Sequence, residues 1–391
     1  MNEVGKTPSL LWGEAAGLLW EKGKRLSGSE RREHCVEVAL GPRSYTIRIG
    51  QGLLAEAAHH LRAVAPGLSR AVLITDRNVE PLYAAPMRDQ FQSAGIPACL
   101  LVIEPGEASK TIPVAHRLWE EMLAAGADRK SVVVAVGGGV VGDLAGFVAA
   151  TYARGIRLVQ VPTSLLAQVD SSVGGKVGVD LPKAKNMVGA FWQPVGVLID
   201  PATLQTLPER EYRAGLAEVV KYGMILDADL FVRLEQHLEA IRRRDEEELA
   251  WVIARCCRLK ADVVQQDERE ETGLRAILNY GHTFGHAFET LTGYSQLLHG
   301  EAVAMGMECA ARLAERLGRI DRSLVERQRR LLEGLGLPVD PPPLDPEQVL
   351  EVMRHDKKAS HGRLRLILPD RLGHVELVEE VPAEQVRAVL R

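Results

Sequence analysis

Disulfide chemistry has little to work with in this chain. Its five cysteines, Cys35, Cys99, Cys256, Cys257 and Cys309, are odd in number and irregularly spaced, and none forms a Cys-x-x-Cys pair. That argues against a disulfide framework and for a reducing compartment. Long apolar runs are also missing. The stretch from Val132 to Val141 is apolar, but several glycines and Asp143 stop it well short of the roughly 20 residues that span a bilayer. No excess of basic residues exists either, since the formal net charge is −4. Nucleic acid and anionic membrane are therefore not expected as partners, and an anionic ligand would need a local cluster of cations. The N-terminus shows no clean order of basic region, apolar region and small-residue cleavage site. A cytoplasmic protein is expected.

What is present is ordinary globular composition, 46% apolar and 26% charged, over 391 residues, a length that suggests two domains. Residues 1–34 read as an extension, expected to be mobile, with a short apolar stretch from Leu10 to Trp20. From Cys35 to about residue 200, β-rich runs alternate with helical stretches. Tyr45–Ile49, Ala71–Thr75, Cys99–Ile103, Ser131–Val136, Arg157–Val161 and Gly196–Ile199 read as strands, and Ile112–Ala125 and Val140–Thr151 as helices. This order predicts an α/β domain with a mostly parallel sheet covered on both faces. Residues 201–391 change character. Glu209–Met224, Leu230–Ile241, Glu246–Gln265, Leu274–Leu291, Gly300–Leu317 and Leu324–Leu335 carry helical periodicity. Val339–Pro346 is proline-rich and reads as a rigid turn, and Arg363–Leu368 with His374–Leu377 reads as a small hairpin. A mostly helical second domain should leave a ligand cleft against the first.

Two constellations carry chemistry. The strand at Ser131–Val136 runs into Gly137-Gly-Gly-Val-Val-Gly142, a G-x-G-x-x-G turn opening a helix. Such a turn lets backbone N–H groups and the helix dipole approach a pyrophosphate. Alone the match is weak, and no acidic residue ends a strand about 20 residues later. Asp76, followed by Asn78, instead ends an earlier strand. In a parallel sheet that turn opens on the same edge as the glycine turn. The second constellation is His282, His286 and His299, with Glu218 upstream. Three or four nitrogen and carboxylate ligands with an open position describe a catalytic zinc site. His282 and His286 are four apart and share a helix face, so spacing alone makes both of them ligands.

The segments GGGVVGDLAGFVAATYARG, QVPTSLLAQVDSSVGGKVGVD, KNMVGAFWQP, GLAEVVKYG, LNYGHTFGHAFE and HGEAVAMGM resemble the signature segments of 3-dehydroquinate synthases, and the likeness runs from about Cys35 to the C-terminus. The resemblance implies an NAD-binding α/β domain, a helical metal domain and a homodimer. Its members turn 3-deoxy-D-arabino-heptulosonate 7-phosphate into 3-dehydroquinate and phosphate, on the route to aromatic amino acids. It implies three ligands for zinc or cobalt, Glu218, His282 and His299, and makes His286 a proton-transfer or hydrogen-bonding residue rather than a ligand. It places NAD on Asp76, Asn78, Glu107, Lys110, Gly138, Gly139, Val140, Asp143, Thr163, Ser164, Lys185, Thr203 and Thr206. It places the anionic substrate on Arg154, Asp170, Lys176, Asn186, Lys221, Lys260, Arg275, Asn279 and Lys357, with Lys358 an alternative to Lys357. Glu271 takes the acidic role next to Arg275, with Glu270 the alternative, because that segment is one residue longer than the family pattern. Ala184 also departs from it, where glycine usually precedes Lys185. On a continuous helix, Arg275, Asn279 and His282 would share one face.

Overall fold

The alternation read from the sequence becomes a single seven-stranded sheet. The computed structural model describes residues 33–182, 184–294, 296–355 and 364–390. The stretch from Leu10 to Trp20 and the Asp356-Lys357-Lys358 motif lie outside the described residues. The first half contains β1 (His34–Val38), β2 (Tyr45–Ile49), α1 (Ala57–Val64), β3 (Ala71–Asp76), α2 (Ala85–Ser93), β4 (Ala98–Ile103), α3 (Ile112–Ala124), β5 (Val132–Gly137), α4 (Gly139–Thr151), β6 (Arg157–Pro162), β7 (Lys176–Leu181), β8 (Ala184–Phe191) and β9 (Gly196–Ile199). The sheet order is β1-β2-β9-β6-β5-β3-β4, parallel throughout except for the β1–β2 pair. All six residues of β5 are buried, as a central strand covered on both faces requires. One face packs on α1 and α2 through Leu61, Met87 and Phe91. The other packs on α3 and α4 through Leu118, Leu144 and Val148.

The second half contains α5 (Glu209–Leu226), α6 (Ala228–Gln236), α7 (Leu238–Arg242), α8 (Glu246–Gln266), α9 (His282–Leu291), α10 (His299–Arg316), α11 (Arg322–Gly334), α12 (Pro346–His355), the hairpin β10 (Arg365–Arg371) with β11 (His374–Glu379), and α13 (Ala383–Val389). No helix among the described residues is long and apolar enough to cross a membrane. One core runs through this half and into the sheet. It joins Val36, Ile47, Val197 and Ile199 to Leu216, Ile253, Phe284 and Leu390.

Four features depart from the sequence reading. The edge strand β1 and the hairpin β7–β8 carry no strong apolar alternation, and five of the eight residues of β8 are exposed. The helices α12 and α13 are short and fall around the proline-rich stretch and at the chain end. Leu230–Ile241 is two helices, parted at His237. Leu274–Leu291 is not one helix: Leu274–Asn279 winds as a 3-10 helix, Tyr280 leaves helical space, and Gly281 sits at φ +78° before α9 begins. A Cβ at Gly281 would stand 2.9 Å from both Met307 N and Val303 O, so the break is held against α10. The shared helical face expected for Arg275, Asn279 and His282 therefore does not exist.

Candidate active site

Three helices meet at Glu218. It lies in the middle of α5, 1% exposed, on an element whose residues from Ala214 to Ile225 are all buried. Gly300 lets α10 start against that helix, since a Cβ there would lie 1.8 Å from the Ala214 carbonyl oxygen, one turn before Glu218. That approach carries His299 to Glu218, with Nε2 3.7 Å from Oε1. The turn at Gly281 carries in His282, with Nε2 3.4 Å from the same oxygen. One ligand atom from each of Glu218, His282 and His299 lies within 4.8 Å of the others. The far ring nitrogens are engaged elsewhere. His282 Nδ1 faces the Tyr280 carbonyl at 3.1 Å, and His299 Nδ1 faces Glu289 Oε2 at 3.4 Å. Each contact favours a proton on Nδ1 and leaves the Nε2 lone pair toward Glu218. Glu218 Oε1 is buried with no hydrogen-bond donor among the described residues. A buried, undonated carboxylate oxygen faced by two Nε2 atoms fits a divalent cation such as zinc, which accepts this donor set.

His286 is close by, its ring centroid 5.5 Å from His282 and 6.2 Å from His299. It groups with Glu289 and His299, not with Glu218. His282 and His286 thus fall in different groups able to hold a metal, with His299 common to both.

A chain of buried charges leads away from Glu218. Lys221, one turn along α5, pairs with Glu218. Asp170, in the turn of helix at Ala167–Ser171, receives the Lys260 ammonium from α8 on Oδ1 at 2.9 Å, and the same ammonium donates to the Asp170 carbonyl at 2.9 Å. Tyr222 donates its hydroxyl to Oδ1 at 2.6 Å. Burial acts to raise the Asp170 pKa, but Lys260, Lys221 and the Tyr222 hydroxyl hold it well below the usual carboxylate range. Burial pushes Lys260 below its ordinary value against the pull of Asp170. Lys221 moves the other way, because Glu218 and Asp170 outweigh its burial.

Next to this chain lie the cations expected for an anionic substrate. Arg275 is buried, its Nη1 donating to the Glu268 carbonyl at 2.9 Å. Asp267 ties down the turn before it by accepting from Thr272 N and Arg275 N. Glu270 meets Lys176 of β7 and lies 3.5 Å from Arg275 Nε. Both Glu270 and Glu271 are exposed, and of these two alternatives it is Glu270 that meets Lys176 and Arg275. Glu270 adopts φ +59°, in the left-handed region. Asn279 donates to the Ala276 carbonyl within its own turn. Arg154 is exposed at the far end of α4, past Thr151, while the glycine turn opens the near end. Thirteen helical residues separate the two ends, roughly 20 Å at 1.5 Å per residue, which sets Arg154 well away from the glycine turn.

On the sheet edge, β3 and β5 are adjacent and parallel, so Asp76 and the glycine turn open side by side. Asp76 Oδ1 accepts from Asn78 N at 2.8 Å and Val79 N at 3.1 Å. Gly138 and Gly139 start α4, and a Cβ on either would lie 3.3 or 3.2 Å from the hydroxyl of Ser164 or Ser171. The backbone thus lines a slot that side chains would fill, at a helix N-terminus, with Val140 in its first turn. Thr163 N donates to the Gly137 carbonyl and anchors the slot. Lys110 is buried. It pairs with Asp143 at 2.7 Å, lies 3.7 Å from Glu107, and donates to Asn186, which puts Asn186 on this side of the site. Asp143 and Glu107 outweigh burial and raise the Lys110 pKa. Lys185 sits over the Tyr294 ring, 4.3 Å from its centroid. Thr203 and Thr206 are fixed by Gln168 and by Tyr83, respectively.

Family models described as 3-dehydroquinate synthase N-terminal and C-terminal match residues 100–214 and 215–359. A 3-dehydroquinate synthase of Rhodopirellula baltica is 51% identical over 360 residues, 91% of this chain and 96% of its own. One of Desulforamulus reducens is 50% identical, covering 91% of this chain and 99% of its own.

The chain belongs to the 3-dehydroquinate synthase family.

Solved structures agree at the level of fold. A 2-deoxy-scyllo-inosose synthase complexed with carbaglucose-6-phosphate, NAD+ and Co2+ superposes with a TM-score of 0.82 at 30% identity, covering 92% of this chain and 99% of that one. A 2-epi-5-epi-valiolone synthase from Streptomyces hygroscopicus, with NAD+ and Zn2+ bound, gives 0.81 at 30%, covering 90% and 97%. Two site residues of this synthase fold escaped the sequence reading. Glu289 lies three residues after His286 and seven after His282, spacings that share a helix face and could have flagged it. Tyr222 directly follows Lys221, and nothing in the spacing points it at Asp170.

Proposed function

We propose that Glu218, His282 and His299 hold the divalent metal of a 3-dehydroquinate synthase, and that the cations around Asp170 bind its seven-carbon phosphorylated substrate. The enzyme converts 3-deoxy-D-arabino-heptulosonate 7-phosphate to 3-dehydroquinate and phosphate. The observation that carries the site reading is the convergence of two histidine Nε2 atoms on the undonated Glu218 Oε1, beside the Asp170–Lys260 pair. When bound, NAD supplies transient oxidation and re-reduction of one carbon, and zinc or cobalt supplies polarisation of the neighbouring hydroxyls.

The chain's own residues do the rest. The glycine turn receives the dinucleotide pyrophosphate on the N–H groups that open α4. Asp76 takes ribose hydroxyls, and Lys110, with Asp143 and Asn186, bridges the cofactor to the substrate side. Lys176 and Arg275 neutralise substrate anions, with the guanidinium suited to a carboxylate. Lys221 and Lys260 offer buried ammonium groups to the substrate, and His286 moves protons at the phosphate-bearing end. Holding a flexible chain in register is worth about 7–11 kcal/mol of the barrier. Residues 35–200 serve as the cofactor half and 201–391 as the metal and substrate half. A homodimer in the cytoplasm is part of the same reading and follows from the family resemblance.

The test is direct. The purified protein is mixed with the heptulosonate phosphate, NAD and a divalent metal, and phosphate release is followed together with NADH absorbance. Phosphate should appear with no accumulation of NADH, because the hydride is returned. Accumulating NADH would mark a dehydrogenase. Equal phosphate release from a sugar phosphate lacking the carboxylate would mark another cyclase. Light scattering on the same sample reads the oligomer.

A further inference from the structure

We propose that Tyr222 is a positioning residue for the reaction, fixing the Asp170 carboxylate and, through it, the Lys260 ammonium toward the substrate. Its side chain is 0% exposed, so it cannot touch the substrate itself. Its hydroxyl donates to Asp170 Oδ1 at 2.6 Å, the same oxygen that receives Lys260 at 2.9 Å. Two donors on one oxygen define the carboxylate plane. Asp170 keeps 26% side-chain exposure although both partners are buried, which leaves part of the carboxylate open to the cleft. Lys260 is oriented from two directions, by Oδ1 and by the Asp170 carbonyl.

A purely structural tyrosine in this half of the chain satisfies its hydroxyl differently. Tyr212, ten residues earlier on α5, donates to the Ile241 carbonyl, and Tyr280 donates to Gln328. Either arrangement stabilises packing without addressing a charged group in the cleft. Tyr222 instead addresses a carboxylate flanked by Lys221 and Lys260. The Lys221 ammonium already lies 5.0 Å from the Tyr222 ring centroid, so a third cation in that place would be repelled. A neutral donor on a rigid ring fills the position without adding charge. The residue next to Lys221 on α5 thus links the metal-side helix to the Asp170 turn.

This inference rests on the reading that Asp170 contacts the substrate, and the experiment separates the two. Tyr222→Phe keeps the ring and removes the hydroxyl. Lys176 and Arg275 still hold the substrate's anions, so KM should stay within about threefold while kcat falls about tenfold, the usual size for losing a hydrogen bond to a charged group. Metal content, NAD affinity and melting temperature should stay close to those of the parent. In an Asp170→Asn background, Tyr222→Phe should cause no further loss, because the two act through one contact. Parent-like kinetics for Asp170→Asn would sink the substrate-contact reading. An impaired Asp170→Asn alongside a Tyr222→Phe with parent-like kcat, or additive losses in the double variant, would overturn the role of Tyr222. A Tyr222→Phe protein that fails to fold would assign the residue to stability, and that also overturns it.

Discussion

His282 and His299 each spend one ring nitrogen on an acceptor behind them, and this decides what the other nitrogen can do. With the Tyr280 carbonyl and Glu289 at the two Nδ1 atoms, both lone pairs lie on Nε2, beside Glu218. His282→Ala or His299→Ala should therefore abolish bound metal and activity together in a folded protein. His286→Ala should keep a full equivalent of metal and lose rate. Elemental analysis of the purified variants distinguishes the two classes, and metal loss in His286→Ala would restore the ligand pair suggested by spacing. Glu289→Gln should retain the site but weaken it, by about 10–100-fold in metal affinity on titration, because the acceptor behind His299 loses its charge. The residue types pointed to a metal site, the helical offset paired His282 with His286, and the proposed triad came from the family resemblance. Neither the residue types nor the offsets decided between Glu270 and Glu271, because which of them meets Lys176 and Arg275 depends on the local backbone path. Nor could they place Arg154, whose distance depends on which end of α4 it occupies.

At the scale of elements, α9 and α10 are set by glycines rather than by apolar pattern. Leu274–Leu291 has the periodicity of one helix, and Gly281 alone is no stop signal, since glycine inside a helix is tolerated at about 1 kcal/mol. The break is specified from outside, by Asp267 gripping the preceding turn and by α10 lying against Gly281. Gly281→Ala should thus cost more than an ordinary helix substitution. The left-handed backbone adds roughly 1–3 kcal/mol, and contact with Met307 N and Val303 O adds crowding. A lower urea midpoint, accompanied by loss of metal as His282 is displaced, is the expected outcome. An unchanged midpoint would show that the turn can relax. The parallel strands were legible because buried strands are continuous apolar runs. The hairpin β7–β8 was not, because one side faces outward and its glycines and charges answer to the site rather than to a core.

Across the whole molecule, the change at residue 200 is a change of composition more than a boundary between cores. Val36, Ile47, Val197 and Ile199 belong to the same buried cluster as Leu216, Ile253 and Phe284. A fragment of residues 33–200 should accordingly fail to fold alone, exposing that face of the sheet. Circular dichroism and dye binding on the fragment would test this, and a cooperative melt close to that of the full chain would establish two independent domains. Metal should stabilise the full chain by mass action, by about 2.7 kcal/mol at a hundredfold excess over the dissociation constant. Removing it with a chelator should lower the melting temperature while leaving one transition.

The pairing of β1 with the late helix α8 also sets a clock. Arg258 of α8 donates to the Glu37 carbonyl across 221 residues of chain, and Gln265 accepts from Ala39 N. During synthesis at about 5–20 residues per second, the first strand waits roughly 10–45 s before its cover exists. Through that interval an unprotected sheet edge is available to other chains. Slow ribosomes or high expression should therefore favour aggregation through β1, while early binding by a chaperone should suppress it.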